Sequence, residues 1–103
     1  MGELREKRER FTQGLAELII FINDRKYTCA VAPNGQTHMK DSLHYSGLAI
    51  DVGIYKDGNY LDKTEDYKFA GDYWKSLDPD FRWGGDFLFP DGNHFSIAYQ
   101  GKA

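Results

Sequence analysis

The run Gly47-Leu48-Ala49-Ile50-Asp51-Val52-Gly53-Ile54-Tyr55 sets a small or acidic residue against an apolar one along its length. A period of two is that of an extended strand, whose successive side chains point to opposite faces of a sheet. Leu48, Ile50, Val52 and Ile54 therefore share a face suited to packing under helices, and Gly47, Ala49, Asp51 and Gly53 share the other. Asp51 stands among side chains small enough to leave room for an ion and a ligand above the sheet. Residues 94–99 repeat the pattern, with Phe95, Ile97 and Tyr99 on the apolar side and His94, Ser96 and Ala98 on the small, polar side. If these two strands are neighbours in register, Asp51 and His94 project from one face.

Outward from this pair, residues 3–22 place Phe11, Leu15, Leu18, Ile19 and Ile22 at helical spacing, which predicts an amphipathic helix with a solvated charged face. Asn23-Asp24 ends it. Residues 27–32 read as a short strand, Pro33-Asn34-Gly35 as a turn, and Asp57-Gly58-Asn59 as a hairpin tip. Thr64 reads as the N-cap of a second helix, with Glu65 and Asp66 in its first turn and Tyr67, Ala70, Trp74 and Leu77 along its inner stripe. Asp78-Pro79 stops that run. Trp83-Gly84-Gly85-Asp86-Phe87 then sets two glycines beside a large ring, where the backbone can pass closely.

With 103 residues the chain fits one domain, spanning 1–103, and a monomer is expected. Its 13 basic and 16 acidic residues give a net charge of -3, which argues against a nucleic-acid binder relying on general attraction to phosphates. Cys29 is the single cysteine, so no internal disulfide forms, and a buried, inert thiol is expected. The opening Met-Gly-Glu-Leu-Arg-Glu-Lys-Arg-Glu-Arg carries charges where a signal peptide needs an apolar core, and no stretch reaches membrane-spanning length. Synthesis in the cytoplasm without a signal peptide is the expectation.

His44, Asp51 and His94 form a candidate ligand set. Two imidazoles and one carboxylate suit Zn²⁺ and leave one of four tetrahedral positions open for water, the arrangement of a catalytic rather than a structural site. That points to hydrolysis, which also needs a carboxylate to move protons. Asp91 lies three residues before His94, at a Gly-Asn turn leading into the strand.

The chain resembles the VanY-type zinc peptidases, the D-Ala-D-Ala carboxypeptidase and L-alanyl-D-glutamate endopeptidase family that includes many phage endolysins. The resemblance spans roughly residues 11–99 and is carried in order by Ser42-x-His44-x-x-Gly47-x-Ala49-x-Asp51, Trp83-Gly84-Gly85-Asp86-Phe87 and Asp91-x-x-His94-Phe95. It implies that His44, Asp51 and His94 hold one Zn²⁺ and that Asp91 is the catalytic acid/base. The implied fold is α+β, a small antiparallel sheet with two main helices, shared with hedgehog signalling domains. The implied partner is a peptidoglycan stem peptide, and the implied place of action is the bacterial cell wall.

Around that centre, Ser42 is expected to orient the ligand loop or bond substrate, and Trp83 to wall the cleft or pack in the core. Family members usually carry an Arg upstream of the Ser-x-His motif for substrate binding and oxyanion stabilisation, and residues 27–38 contain none. His38 and Lys40 are candidate substitutes, Arg25 and Arg82 are further candidates outside the family pattern, and the alternative is that both loop side chains are solvated and the zinc alone polarises the carbonyl. Three readings follow: an active zinc peptidase of the endolysin kind, a catalytically impaired zinc domain that binds cell wall, and a structural domain whose histidines and Asp51 make ordinary hydrogen bonds.

Overall fold

The computed structural model describes residues 2–31, 43–44 and 46–103. The expected turn at Pro33-Asn34-Gly35 lies outside these residues, as do His38, Lys40 and Ser42. The fold is α+β: helix α1 (Gly2–Asp24), strands β1 (Thr28–Val31), β2 (Ala49–Lys56) and β3 (Asn59–Tyr60), helix α2 (Lys68–Leu77), and strands β4 (Phe81–Trp83) and β5 (His94–Ile97). The sheet is antiparallel with the order β1-β2-β5-β4, and β3 also pairs with β2.

The helices cover the face that the alternation marks as apolar. Leu48, Val52 and Ile54 of the β2 region, Phe95 and Ile97 of β5, and Phe81 of β4 are buried there with Trp74 from α2 and Phe11, Leu18 and Ile22 from α1. Trp74 stacks on Phe81 at 4.0 Å between ring centroids, and its indole N–H donates to the carbonyls of Arg82 and Ser96. Gly14 brings α1 against Phe81, where a Cβ would lie 2.4 Å from the ring, so any larger residue there would push the helix off the sheet. The helical stripe alone does not reveal this close approach.

β2 changes partner along its length, and this positions the site. Its first half pairs with β5 through Ala49, Ile50 and Asp51, and its end pairs with β3 through Tyr55 and Lys56. In the fork between them its backbone is met by loops: Val52 N donates to Asn93 O at 2.8 Å, Leu61 N donates to Ile54 O at 2.9 Å, and Ile54 N donates to the Tyr67 hydroxyl. Asp57 and Gly58 both take positive φ at the hairpin tip, the geometry a two-residue primed turn requires. It is a plain turn, as expected.

Two expectations need correction. Thr64 does not cap α2: Thr64–Tyr67 is a 3₁₀ turn, its N-cap is Lys63, and no side chain caps either segment. The cause is Tyr67, buried with its hydroxyl bonded to Ile54 N and Leu61 O, which draws this segment into the fork before the α-helix begins. Cys29 is half-buried on β1 rather than fully enclosed, and the partial burial raises its thiol pKa, which agrees with an inert group.

Candidate active site

Asp51 and His94 are directly opposed partners across β2 and β5, so their side chains leave the same face of the sheet. Both are nearly enclosed, Asp51 at 9% exposure and His94 at 6%, and Ser96 beside them is fully buried. The small, polar face is thus more covered than its alternation suggests; the Phe87 ring, for one, lies 5.0 Å from the His94 ring.

His44 completes the set from a turn rather than a strand. Leu43 is buried and accepts from both Ser46 N and Leu48 N, closing the turn immediately before β2. Gly47 supplies the positive φ of 73° that the closure needs. From α1, Arg8 Nε donates to Ser46 O at 2.7 Å, tying the turn to the helix.

His44 Nε2 lies 3.2 Å from His94 Nδ1 and 3.6 Å from Asp51 Oδ1, and His94 Nδ1 lies 3.9 Å from Asp51 Oδ1. Among the described residues, these three form a group with ligand atoms all within 4.8 Å of one another. Separations of 3.2, 3.6 and 3.9 Å are those of atoms able to share one metal ion. Asp51 Oδ1 is also buried without a hydrogen bond among the described residues, a costly state for a carboxylate that a cation would relieve. The donor set and its spacing fit a metal ion.

Asp91 is fixed by its backbone while its side chain is exposed. Asp91 N donates to Gly84 O at 2.9 Å, and Asp91 O accepts from His94 N at 3.1 Å, so the turn delivers the chain into β5. A Cβ on Gly84 would lie 2.1 Å from Asp91 O and 2.7 Å from His94 Cβ. This gives the Trp-Gly-Gly run its physical meaning: only glycine lets the turn carrying Asp91 and His94 close onto β4. Trp83 is 5% exposed, packed against Gly71 and Gly85, and its indole N–H donates to Gly92 O at 2.7 Å. Of the two roles expected for it, core packing is where its ring lies, and a cleft wall would need a face that this burial withholds.

The further cations are engaged elsewhere. Arg25 stacks over Phe21, and Arg82 donates to the carbonyls of Pro79 and Phe81. Arg8, which ties down the turn of His44, carries no chemical signature in sequence, whereas Gly84 belongs to the Trp-Gly-Gly run where close backbone passage is expected; that it closes on Asp91 and His94 is visible only in three dimensions.

These features agree with what similarity to other proteins gives. Residues 35–97, more than half of the chain, match the D-alanyl-D-alanine carboxypeptidase family, and the chain belongs to it. It is accordingly a peptidase of the peptidoglycan-directed kind. The fold is similar to that of the crystal structure of the Serratia marcescens L-Ala D-Glu endopeptidase ChiX, with a TM-score of 0.65 and 17% identity over 96% of this chain and 89% of that one. No curated protein is significantly similar in sequence. No helix among the described residues is long and apolar enough to cross a membrane.

Proposed function

We propose that the protein is a zinc-dependent peptidase that hydrolyses peptidoglycan stem peptides, with His44, Asp51 and His94 holding one zinc ion and Asp91 acting as general acid/base. The convergence of the three ligand atoms within 4.8 Å carries the reading. Zinc held by these three residues would supply a Lewis acid for the scissile carbonyl and would lower the pKa of a water it binds.

The chain's own residues do the rest. Asp51 and His94 are presented from a buried floor with His44 half-buried at its edge, where water is scarce and electrostatic interactions are stronger than in bulk solvent. Asp91, exposed and three residues from His94, takes the proton of the attacking water and returns one to the leaving amine. The scissile bond is the L-Ala-D-Glu or the D-Ala-D-Ala linkage, and the role is that of a phage-type endolysin acting on the wall. Trp83 holds the Asp91 turn through Gly92, and Ser42 and His38 belong to the segment before His44 that is proposed to bind substrate.

The absence of an arginine between residues 27 and 38 favours one alternative, a wall-binding domain that keeps its zinc and has lost turnover. Digestion of purified cell wall followed by mass spectrometry of the muropeptides decides between them. Products from one defined stem-peptide bond support the peptidase; bound wall without products supports the alternative.

A further inference from the structure

A pocket of about 260 Å³ opens at the fork of the sheet, next to the proposed acid/base. Its two rims are the segment after β3, with Asp62, Lys63 and Thr64, and the turn before β5, with Asp91 and Asn93. The rims touch: a Cβ on Gly92 would lie 2.8 Å from Thr64 Cα and 3.2 Å from its Oγ1. The Tyr67 hydroxyl pins the floor by donating to Leu61 O at 2.7 Å and accepting from Ile54 N. The pocket is therefore held by the same backbone that fixes Asp91, and a ligand seated in it lies against the turn that carries Asp91.

Among the described residues, Lys63 is the cation that lines this pocket. It is exposed, and it makes no ion pair within 4.0 Å among the described residues, unlike Lys7, Lys68 and Lys75, which each hold a carboxylate. Asp62 and Asp91 line the same pocket and oppose an anion throughout it, so a carboxylate is held there only by direct contact with the Lys63 ammonium. We propose that this pocket is a substrate subsite in which Lys63 binds a free carboxylate of the stem peptide, supplying from the β3–α2 connection a positive charge that residues 27–38 lack in arginine. The inference rests on the peptidase reading above. Two carboxylates qualify chemically: the α-carboxylate of the γ-linked D-glutamate and the terminal carboxylate.

The test uses the zinc-loaded full chain and three synthetic stem peptides: unmodified, amidated at the glutamate α-carboxylate, and amidated at the C-terminus. Wild type should cleave the unmodified peptide with a KM about three- to tenfold below that for one amidated form, and that form identifies the carboxylate bound. Lys63→Ala should raise KM on the unmodified peptide by the same factor, leave kcat and zinc content unchanged, and erase the difference between peptides. Lys63→Arg should restore it. Lys68→Ala, which removes a paired lysine outside the pocket, should change nothing. If wild type cleaves but Lys63→Ala keeps both its KM and its discrimination, the subsite assignment is overturned while the peptidase stands. If zinc-loaded wild type cleaves none of the peptides, the peptidase reading fails and the subsite with it.

Discussion

The two halves of the candidate centre are built differently. Asp51 and His94 are opposed residues of paired strands, so their separation is fixed by the register of the sheet. His44 rides on a turn whose place depends on buried Leu43, on the positive φ of Gly47 and on a hydrogen bond from Arg8 of α1. A ligand on a paired strand moves only if the ladder breaks, whereas a ligand on a turn moves when its tethers loosen. The strand half is preorganised locally; the turn half is completed by tertiary docking. Variants that strike one half at a time expose the difference.

The largest effect is expected from removing a ligand on the strand half. His94→Ala should abolish zinc binding and reduce hydrolysis to background, and it should also remove the rise in Tm that zinc gives the wild type, because a ligand bound only by the native state stabilises it by mass action. Stripping zinc from wild type with a chelator should lower its Tm to that of the variant once the variant's own cavity cost is added back. Elemental analysis that finds no zinc on wild type, before or after adding the ion, would remove the whole centre.

Asp91→Asn separates proton transfer from metal binding. Asp91 is held by backbone bonds that the substitution leaves intact, so fold and zinc content should be unchanged while kcat falls by roughly two to four powers of ten. Stem-peptide turnover is the measurement. An unaltered rate would assign the base to another residue.

Gly84→Ala reaches the strand half from behind. Its Cβ has no room between Asp91 O and His94 Cβ, so the turn and the head of β5 must shift together. A stability loss of about 1–3 kcal/mol is expected from such overpacking, read from denaturant unfolding of the zinc-free protein. Weaker zinc binding and slower turnover should accompany it, since one displacement moves both a ligand and the proposed base.

The same contrast explains what was legible in the sequence. Alternation around Asp51 and His94 is a local property, and it puts both residues on one face provided that the two strands are neighbours in register, a condition the pairing of β2 with β5 meets. The amphipathic spacing of Phe11, Leu18 and Ile22 and the Asp57-Gly58 turn are likewise local, and each appears where expected. What the pattern hid depends on partners distant in sequence. Thr64 looks like a cap because the sequence does not disclose that Tyr67 must reach Ile54 and Leu61. The change of partner along β2, which creates the pocket holding Lys63, leaves no trace in the periodicity of β2 itself. Ser96 reads as part of an open polar face, yet it is fully buried. Residue chemistry marks His44 as a candidate ligand with Asp51 and His94, and the proposed acid/base role of Asp91 is what the family resemblance implies.

The smallest effect concerns the tether of the turn half. Arg8 lies on an exposed helical surface, and its bond to Ser46 O is long-range in sequence, so a conventional reading of the N-terminal charges as a solvated face gives it no function. Arg8→Ala removes one charge-assisted hydrogen bond near the surface, and its cost in global stability should be under about 1 kcal/mol. Among the supports seen in the described residues, the turn carrying His44 would then keep Leu43 and Gly47. Because ligand orientation depends on such supports, zinc affinity should fall by about tenfold, while Asp51 and His94 keep their register. A competition titration against a chromophoric chelator reads the affinity, and hydrogen exchange reads the two halves separately: amides of Ser46 and Leu48 should exchange faster, and those of β5 should not. Equal loosening in both halves, or none in either, would mean that the turn does not depend on α1 and that the asymmetry drawn from the hydrogen bonds has no energetic counterpart.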